Sequence, residues 1–241
     1  MKNLKAFDWV LILGVLGCSI GYAAMTAGQN GGFDWLGTVA AVTGLFCVVL
    51  VAHGNILNYA FGLVNVLLYA YISYKSNLLG DCVLNLFYYT PMQFVGFFVW
   101  TKRKDSSDSS RIRARAMSPR SRILLGIVSI ALVAAFGFLL AKLKQNAVEG
   151  TFIERWHLYS EFPYKDALTT MFAIIAQYLM ARAFLEQWFF WIVMNAVSLV
   201  IWAMFLREGT PHAGLMVIMY VFYLANSING ARLWIKMSHN D

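Results

Sequence analysis

Eight long apolar stretches, separated by short polar connections, constrain this 241-residue chain more than any other feature. A helix needs about 20 apolar residues to cross the hydrocarbon core of a bilayer, and it satisfies its own backbone polar groups there. Apolar residues make up 60% of the chain and charged residues only 13%, whereas soluble domains have about 25% charged residues. The sequence therefore predicts an all-α membrane protein with eight transmembrane helices, over residues 9–25, 36–52, 56–74, 82–100, 123–141, 167–181, 188–206 and 213–234.

The distribution of lysine and arginine predicts the orientation of these helices. Cytoplasmic connections are enriched in both residues. With eight crossings, the two termini and the loop 101–122 share one side, which carries thirteen lysines and arginines against six on the other. We therefore expect cytoplasmic termini. The serine-rich, charged stretch 105–118 is predicted to be a solvated loop, and because topology explains the net charge of +7, no nucleic-acid partner is expected.

An internal repeat relates the third and fourth stretches to the seventh and eighth. One bridging helix between two three-helix units makes both units enter the membrane from the same side, which defines a parallel repeat. Repeats of this kind commonly hold a substrate path between their halves. The residues that match are Asn65 with Asn195, Gly96 with Gly230, and Trp100 with Trp234.

The predicted organisation has six parts. The outer connection is expected to contain a short interfacial helix, because Phe152, Trp156 and Tyr159 recur on one helical face. The parts are an extra N-terminal transmembrane helix (1–34), a first three-helix repeat (35–103), a basic cytoplasmic loop (104–121), a bridging helix (122–142), an outer interfacial segment (143–163) and a second three-helix repeat (164–236).

Carboxamide side chains lie inside these apolar stretches, where a buried polar group needs a partner. Asn65, Gln93, Asn195 and Asn226 each fall near the middle of a stretch. Their similar depth predicts a polar site near the membrane midplane. The alternative is that these amides only join helices, at about 1 kcal/mol each.

The most specific pattern is the run Trp188, Trp191, Asn195 and Ser198. Successive residues of an α-helix are about 100° apart, so these offsets place the four side chains on one face. Two indole rings beside a carboxamide suit a flat, polar, aromatic molecule. Trp188 also lies where an interfacial tryptophan would be expected.

The middle of the predicted helices contains no Asp, Glu, Lys, Arg or His. Ion-driven transporters usually keep ionisable residues in the membrane, and hydrolysis there needs paired acids, an activated nucleophile or a metal. We therefore expect passive movement of a substrate, no enzymatic activity, no catalytic residue and no cofactor. Cys18, Cys47 and Cys82 lack a metal-ligand spacing, and no metal site is expected.

These residues resemble the PnuC family of vitamin transporters. The family's best-known members carry nicotinamide riboside, a precursor of NAD, and relatives carry thiamine or riboflavin. The resemblance implies a 3+1+3 fold like that of a full-length SWEET transporter, a homotrimer in a bacterial inner membrane, facilitated diffusion, and trapping of the substrate by cytoplasmic phosphorylation. It covers residues 35–236 and rests on Trp188, Trp191, Asn195, Ser198, Gly230 and Trp234, with Asn65, Gln93 and Trp100 in the first half.

The resemblance also implies roles for individual residues. The expected substrate is nicotinamide riboside; the alternatives are thiamine or riboflavin on the same fold, or a non-transporting membrane scaffold or sensor. The implied substrate-binding residues are Trp188, Trp191 and Asn195, with Asn65 and Ser198 beside them, Gln93 and Asn226 as hydrogen-bonding groups for a carboxamide or ribose, and Tyr89 and Tyr223 as stacking or path-closing groups.

Overall fold

The computed structural model describes residues 5–26, 35–75, 79–103, 112–155, 158–160, 162–208 and 213–238. Helices cover all eight predicted stretches, so the all-α prediction is confirmed. Residues 104–111 of the predicted basic loop, and Trp156 of the predicted interfacial helix, lie outside the described residues. The helices are α1 (Ala6–Thr26), α2 (Trp35–Ala52), α3 (Asn58–Lys75), α4 (Leu79–Leu84), a π-helical turn (Asn85–Tyr89), α5 (Thr90–Thr101), α6 (Pro119–Gln145), α7 (Phe152–Arg155), α8 (Pro163–Ala181), α9 (Gln187–Arg207) and α10 (Ala213–Ser238).

Within the described ranges, five helical segments are long and apolar enough to cross a membrane. The other long helices, α3, α8 and α10, carry buried amides such as Asn58, Gln177 and Asn226. Those side chains lower the mean hydropathy of a helix while facing the protein interior rather than lipid. The five segments are Ala6–Met25, Trp35–Ala52, Asp81–Thr101, Pro119–Gln145 and Gln187–Arg207.

Two prolines explain local features of these helices. The ring of a proline clashes with the carbonyl four residues earlier in an α-helix, and Pro91 lies two residues after the π-helical turn between α4 and α5. Pro119 occupies the first position of α6, where its missing N–H costs nothing. The Oγ of Ser118 accepts from the amide of Ser121 and caps α6, which therefore begins earlier than the predicted residue 122.

The helices pack in two sets that contact each other. The first set is α2, α3 and α4–α5, and the second is α8, α9 and α10. Across the boundary, α2 packs on α10 and α5 packs on α8, while α6 lies against α8 and α1 against α2 and α10. In both of these contacts, the first helix of one set packs on the last helix of the other set.

The turns that follow α2 and α8 have the same backbone path. The amide of Gly54 donates to the carbonyl of Val51, and the amide of Ala183 donates to the carbonyl of Met180, at 2.9 Å in both cases. Gly54 and Ala183 both adopt a φ of +61°. Glycine enters this left-handed region freely, whereas alanine does so at a cost of about 1–2 kcal/mol. The rest of the turn therefore holds Ala183 in a conformation that its own backbone disfavours.

The two turns also fix how the sets correspond. Gly54 and Ala183 are separated by the same number of residues as Asn65 and Met194. Asn65 therefore corresponds to Met194, and the predicted equivalence of Asn65 with Asn195 is one residue out. The two amides accordingly face different helices, since Asn65 donates to α2 and Asn195 donates to α10.

Two tryptophans join the sets reciprocally at the end of the bundle that carries these turns. The indole N–H of Trp100 donates to the carbonyl of Met180 at 2.8 Å, and that of Trp234 donates to the carbonyl of Val51 at 2.9 Å. Both indoles are fully buried, and their rings lie 5.8 Å apart. Each carbonyl belongs to the opposite set, so the two bonds tie the sets together.

Two further aromatic rings extend this contact into the interior of each set. Tyr59 lies 5.0 Å from Trp100, and Trp188 lies 6.0 Å from Trp234, both edge to face. Tyr59 presses on Gly96, where an added Cβ would come within 2.4 Å of the ring, and Trp188 presses on Gly230, where a Cβ would come within 2.2 Å. The four rings Tyr59, Trp100, Trp234 and Trp188 form a row that we call the aromatic row.

A short extended segment, residues 112–117, crosses the same end of the bundle, and we call it the strap. The amide of Ile112 donates to the carbonyl of Gly54 at 3.1 Å, and the amide of Arg115 donates to the carbonyl of Ala183 at 3.0 Å. Ile112 and Ala114 are buried among the aromatic row. The prediction of a solvated loop over 105–118 is therefore wrong for the strap, because its alternate residues face the core and its backbone pairs with both turns.

A buried polar pair fixes α1 to the turn after α2. The Nε2 of His53 lies 2.8 Å from the Oδ2 of Asp8, and both side chains are buried. The amide of Lys5 donates to the same oxygen of Asp8 at 2.7 Å. The predicted extra helix is therefore attached at its N-terminal end to the first set.

The reciprocal tryptophan bonds predict a loss of stability when either donor is removed. Trp100→Phe or Trp234→Phe keeps a ring but removes one buried hydrogen bond between the sets, which costs about 1 kcal/mol because the carbonyls of Met180 and Val51 still accept from the turn amides. We expect each variant to unfold several degrees below the wild type in detergent, measured by intrinsic fluorescence on heating. Trp9→Phe, at an exposed position of α1, is the matched control and should leave the midpoint unchanged. Wild-type midpoints for both core variants would contradict the assigned role of these bonds.

Candidate functional site

Four of the predicted site residues meet at one face of α2, namely Asn65, Tyr223, Gln93 and Asn226. Gly44, Cys47 and Val48 lie three and four residues apart and so share a helical face. A Cβ at Gly44 would lie 2.9 Å from the Nδ2 of Asn65 and 3.3 Å from the hydroxyl of Tyr223. The absence of a side chain at Gly44 therefore makes room for a polar group from α3 and another from α10.

Gln93 and Asn226 approach the same face of α2. A Cβ at Gly62 would lie 2.5 Å from the Oε1 of Gln93 and 3.1 Å from the Sγ of Cys47. The Nδ2 of Asn226 donates to the carbonyl of Val48 at 3.0 Å. The side chains of Gln93 and Asn226 are both buried. Polar groups from α3, α5 and α10 thus converge where the two sets meet.

Asn195 and Ser198 form a second polar group between α9 and α10. The Nδ2 of Asn195 donates to the Oγ of Ser227 at 2.9 Å, and that hydroxyl donates to the carbonyl of Tyr223 at 2.8 Å. Ser198 is buried and lies beside Tyr220. Because Tyr223, Asn226 and Ser227 are neighbours on α10, this group adjoins the one on α2.

Three carboxamide oxygens in these groups are buried without a hydrogen-bond partner among the described residues. They are the Oε1 of Gln93, the Oδ1 of Asn195 and the Oδ1 of Asn226. The amide nitrogens of Asn195 and Asn226 are already bonded to the protein. A buried acceptor left unpaired costs about 1–3 kcal/mol. The arrangement therefore favours a ligand that brings N–H and O–H donors.

Asn65 differs from the other three amides. Its Nδ2 donates to the carbonyl of Ala40 on α2 at 2.7 Å, and its side chain is only partly buried. This bond joins α3 to α2, which is the helix-joining role that the sequence left open. The same amide also touches the space at Gly44, so it borders the convergent group.

A set of tyrosines lies farther from the strap. The ring of Tyr89, in the π-helical turn, is 5.3 Å from that of Tyr88, whose hydroxyl donates to the carbonyl of Ile174 at 2.6 Å. Tyr89 also lies near Tyr69 and Tyr220, and the ring of Tyr220 is 6.2 Å from that of Tyr223. The phenols therefore lead from the polar groups toward the other end of the bundle.

The two predicted site tryptophans lie in different surroundings. Trp188 is 3% exposed and belongs to the aromatic row, and its indole N–H has no partner among the described residues. Trp191 is only partly buried and packs against two separate apolar clusters of the core. Trp191, one turn nearer to Asn195, is thus the better placed of the two to contact a ligand beside the amides.

Sequence reasoning missed several residues that complete the site. Gly44 and Gly62 admit the polar side chains, Ser227 holds the amide of Asn195, and Tyr69 joins the tyrosines. Ser227 carries a sequence signal, because it precedes Trp234 by the same number of residues as Gln93 precedes Trp100. The glycines became informative only once the helices were placed in space.

Comparisons with known proteins show the family of the chain. The family model described as nicotinamide mononucleotide transporter matches residues 34–236. The nicotinamide riboside transporter PnuC of Neisseria mucosa is 39% identical over 211 residues, which cover 85% of this chain and 73% of the relative. The protein of the same name from Haemophilus influenzae is 33% identical over 205 residues, covering 85% of this chain and 80% of the relative.

A solved structure shares both the fold and much of the sequence. The crystal structure of the vitamin B3 transporter PnuC superposes with a TM-score of 0.75 at 34% identity, covering 100% of this chain and 95% of that chain. The match spans the polar groups, the aromatic row and α1. From the family match, the relatives and this structure together, the chain belongs to the PnuC family of membrane transporters.

Proposed function

We propose that this protein carries nicotinamide riboside across the bacterial inner membrane, the substrate for which its relatives are named. The observation that carries the proposal is that three carboxamide oxygens lack a partner among the described residues and lie in two adjoining polar groups, with Gln93 and Asn226 where the helix sets meet and Asn195 between α9 and α10. Nicotinamide riboside offers a carboxamide N–H₂ group and ribose hydroxyls, which are the donors that these oxygens lack.

The charge of the substrate also suits the site. The pyridinium ring carries a delocalised positive charge, and carbonyl oxygens turn the negative ends of their dipoles toward it. Trp191 presents an indole one helical turn from Asn195, and a desolvated cation over tryptophan gains about 2 kcal/mol. The site therefore needs no buried carboxylate to hold the cation.

The proposed architecture is eight transmembrane helices in a 3+1+3 arrangement with α1 added. The matching turns after α2 and α8 and the reciprocal tryptophan bonds support a parallel repeat of α2–α5 and α8–α10, with α6 as the bridge. The lysine and arginine distribution supports cytoplasmic termini. The strap and the aromatic row then lie at the cytoplasmic end.

The proposed mechanism is facilitated diffusion by alternating access. In this conformation the aromatic row fills the cytoplasmic end between the sets, since Trp100 and Trp234 are fully buried. Rocking of one set against the other would part these rings and open the site to the cytoplasm. Phosphorylation of the released nucleoside by a cytoplasmic kinase would then keep the inward gradient favourable.

Removal of the site's polar and aromatic groups tests the residue assignment. Asn195→Ala deletes one acceptor for the substrate, and Trp191→Ala deletes the proposed stacking surface. We expect each to weaken nicotinamide riboside binding at least about tenfold, the equivalent of about 1.4 kcal/mol. Calorimetric titration of purified protein measures this, with Asn146→Ala at the C-cap of α6 as the control. Wild-type affinity in both site variants would refute the assignment.

A comparison of vitamins and driving forces tests the substrate and the mechanism. We expect proteoliposomes to exchange nicotinamide riboside faster than thiamine or riboflavin, and to do so equally with and without a proton gradient. Faster exchange of thiamine or riboflavin would leave the proposed fold intact and identify that vitamin as the substrate. Exchange of none of the three would indicate a scaffold or sensor. Acceleration by a proton gradient would contradict facilitated diffusion.

We also propose that three copies form the working assembly, as the family resemblance implies. Each copy encloses its own polar site, so a trimer would hold three independent paths. Native mass spectrometry of the detergent-purified protein should give three times the 27.2 kDa chain mass. A monomer that binds the substrate with full affinity would show that assembly is dispensable.

A further inference from the structure

Three arginines from three separate elements meet at the strap end of the bundle. Arg103 follows α5, Arg115 lies in the strap, and Arg182 belongs to the turn after α8. The amide of Arg113 donates to the carbonyl of Arg103 at 3.0 Å, and the Nε of Arg115 donates to the carbonyl of Arg182 at 3.0 Å. The strap therefore places its own cation, Arg115, beside Arg103 of the first helix set and Arg182 of the second.

The alternation of the strap sets the direction of these side chains. Ile112 and Ala114 face the core, so Arg113 and Arg115 face outward on the same side of the extended chain. The guanidinium of Arg115 lies 3.9 Å from the centre of the Phe184 ring, which holds it against the turn. Arg115 is thus a positioned cation rather than a freely moving surface group.

The described residues supply these arginines with no matching carboxylate. The Oε1 of Glu186, the acid of the same turn, accepts from the Nε of Arg122 at 2.8 Å and from the amide of Met117 at 2.9 Å, and its Oε2 is buried without a bond to any of the three arginines. The Nε of Arg103 is buried without a partner among the described residues. Burial, and then the charges of Arg103 and Arg182, lower the pKa of Arg115. Counted over the described residues, the cluster therefore has an excess of positive charge.

The residue of the first helix set that corresponds to Arg182 is paired with an acid. Arg182 corresponds to His53, because each residue immediately precedes the left-handed residue of its turn. His53 is paired with Asp8 of α1 at 2.8 Å. The guanidinium of Arg182 lies 5.9 Å from the centre of the Tyr178 ring, and the carbonyl of Arg182 accepts from the Nε of Arg115. Among the described residues, the second set thus has no acid in the place that Asp8 takes beside the first.

We propose that Arg103, Arg115 and Arg182 bind a phosphate group, and that the bound phosphate holds the strap and both helix sets together at the cytoplasmic end. The planar guanidinium fork matches phosphate geometry and gives short, charge-assisted hydrogen bonds. Because the three cations belong to elements that separate when this end opens, the bound anion stabilises the closed conformation. The site is distinct from the carboxamide groups that face the substrate.

Two sources supply this chemistry on the cytoplasmic side. One is a soluble phosphate monoester, which includes the phosphorylated form of a trapped nucleoside. The other is the headgroup of an anionic lipid in the inner leaflet. A soluble phosphate would link transport to the amount of product already formed, and this consequence rests on the proposed function, whereas binding itself does not.

Titration with inorganic phosphate tests the site directly. Purified full-length protein in neutral-lipid nanodiscs is titrated with sodium phosphate at constant ionic strength, and binding is read as a shift in the unfolding midpoint. We expect saturable stabilisation in the wild type, with at least about tenfold weaker binding in Arg115→Gln and Arg182→Gln. Arg115→Lys should retain part of the binding, because the charge remains while the fork is lost. Arg120→Gln removes an exposed cation from the first turn of α6, and this variant should bind phosphate as the wild type does.

The outcomes separate the two sources and can overturn the proposal. Nanodiscs that contain phosphatidylglycerol should show a weaker response to added phosphate if the lipid headgroup occupies the site, and an unchanged response if the ligand is soluble. No phosphate response in neutral nanodiscs, or an equal response in all variants, would overturn the site. Phosphate binding that appears only after the substitutions Asp105→Asn and Asp108→Asn would also overturn the site, since those carboxylates would then be the natural counter-charge of the arginines.

A transport measurement then tests the consequence separately. Uptake of nicotinamide riboside into proteoliposomes is compared with phosphate or chloride inside at equal ionic strength. We expect about tenfold slower uptake with saturating phosphate in the wild type and no slowing in Arg182→Gln. Phosphate binding with undiminished uptake would refute the stabilisation of the closed conformation. Absence of any uptake in the wild type would instead refute the proposed function and leave the phosphate site standing.

Discussion

The reciprocal bonds from Trp100 to Met180 and from Trp234 to Val51 are the interactions on which the rest of the structure depends. Each indole donates to a carbonyl near a helix end that also accepts from the turn amide, so the bond uses the second acceptor position of that oxygen. Each bond also joins one helix set to the other. The positions of the two turns, the strap that pairs with them and the polar site farther along the helices all follow from this connection.

The carboxamides show how one residue type serves both cohesion and recognition. Asn195 and Asn226 use their nitrogens to join helices and leave their oxygens unpaired. A substrate that satisfies those oxygens does not have to displace any bond between helices. Helix-joining and ligand-binding were alternatives for these residues in the sequence, and the geometry allows both in the same side chain.

Apolar length and composition were enough to predict the helices, because a lipid-exposed backbone has few alternatives to helix. The amides of the site were also predictable, since a buried polar group in an apolar stretch needs an explanation. The predicted match of Asn65 with Asn195 is one residue out against the two turns, because sequence alone does not show which face of a helix meets its neighbour. The strap was missed because its charged residues suggested solvent, whereas backbone pairing and two small apolar side chains determine its position. Gly44 and Gly62 were missed because their role is to leave space.

The π-helical turn at Asn85–Tyr89 has a consequence for how this helix can change. Such a turn contains one residue more than the α-helical path it replaces. Because the turn absorbs that residue locally, the helical halves on its two sides keep the faces that a regular helix would give them. Loss of a single residue from the turn would therefore restore a regular helix and leave Trp100 facing its present neighbours. The same loss within α5 would instead rotate one half of the helix against the other by about 100°. The π-helical turn is thus the place where this helix can change its length without turning Trp100 out of the aromatic row.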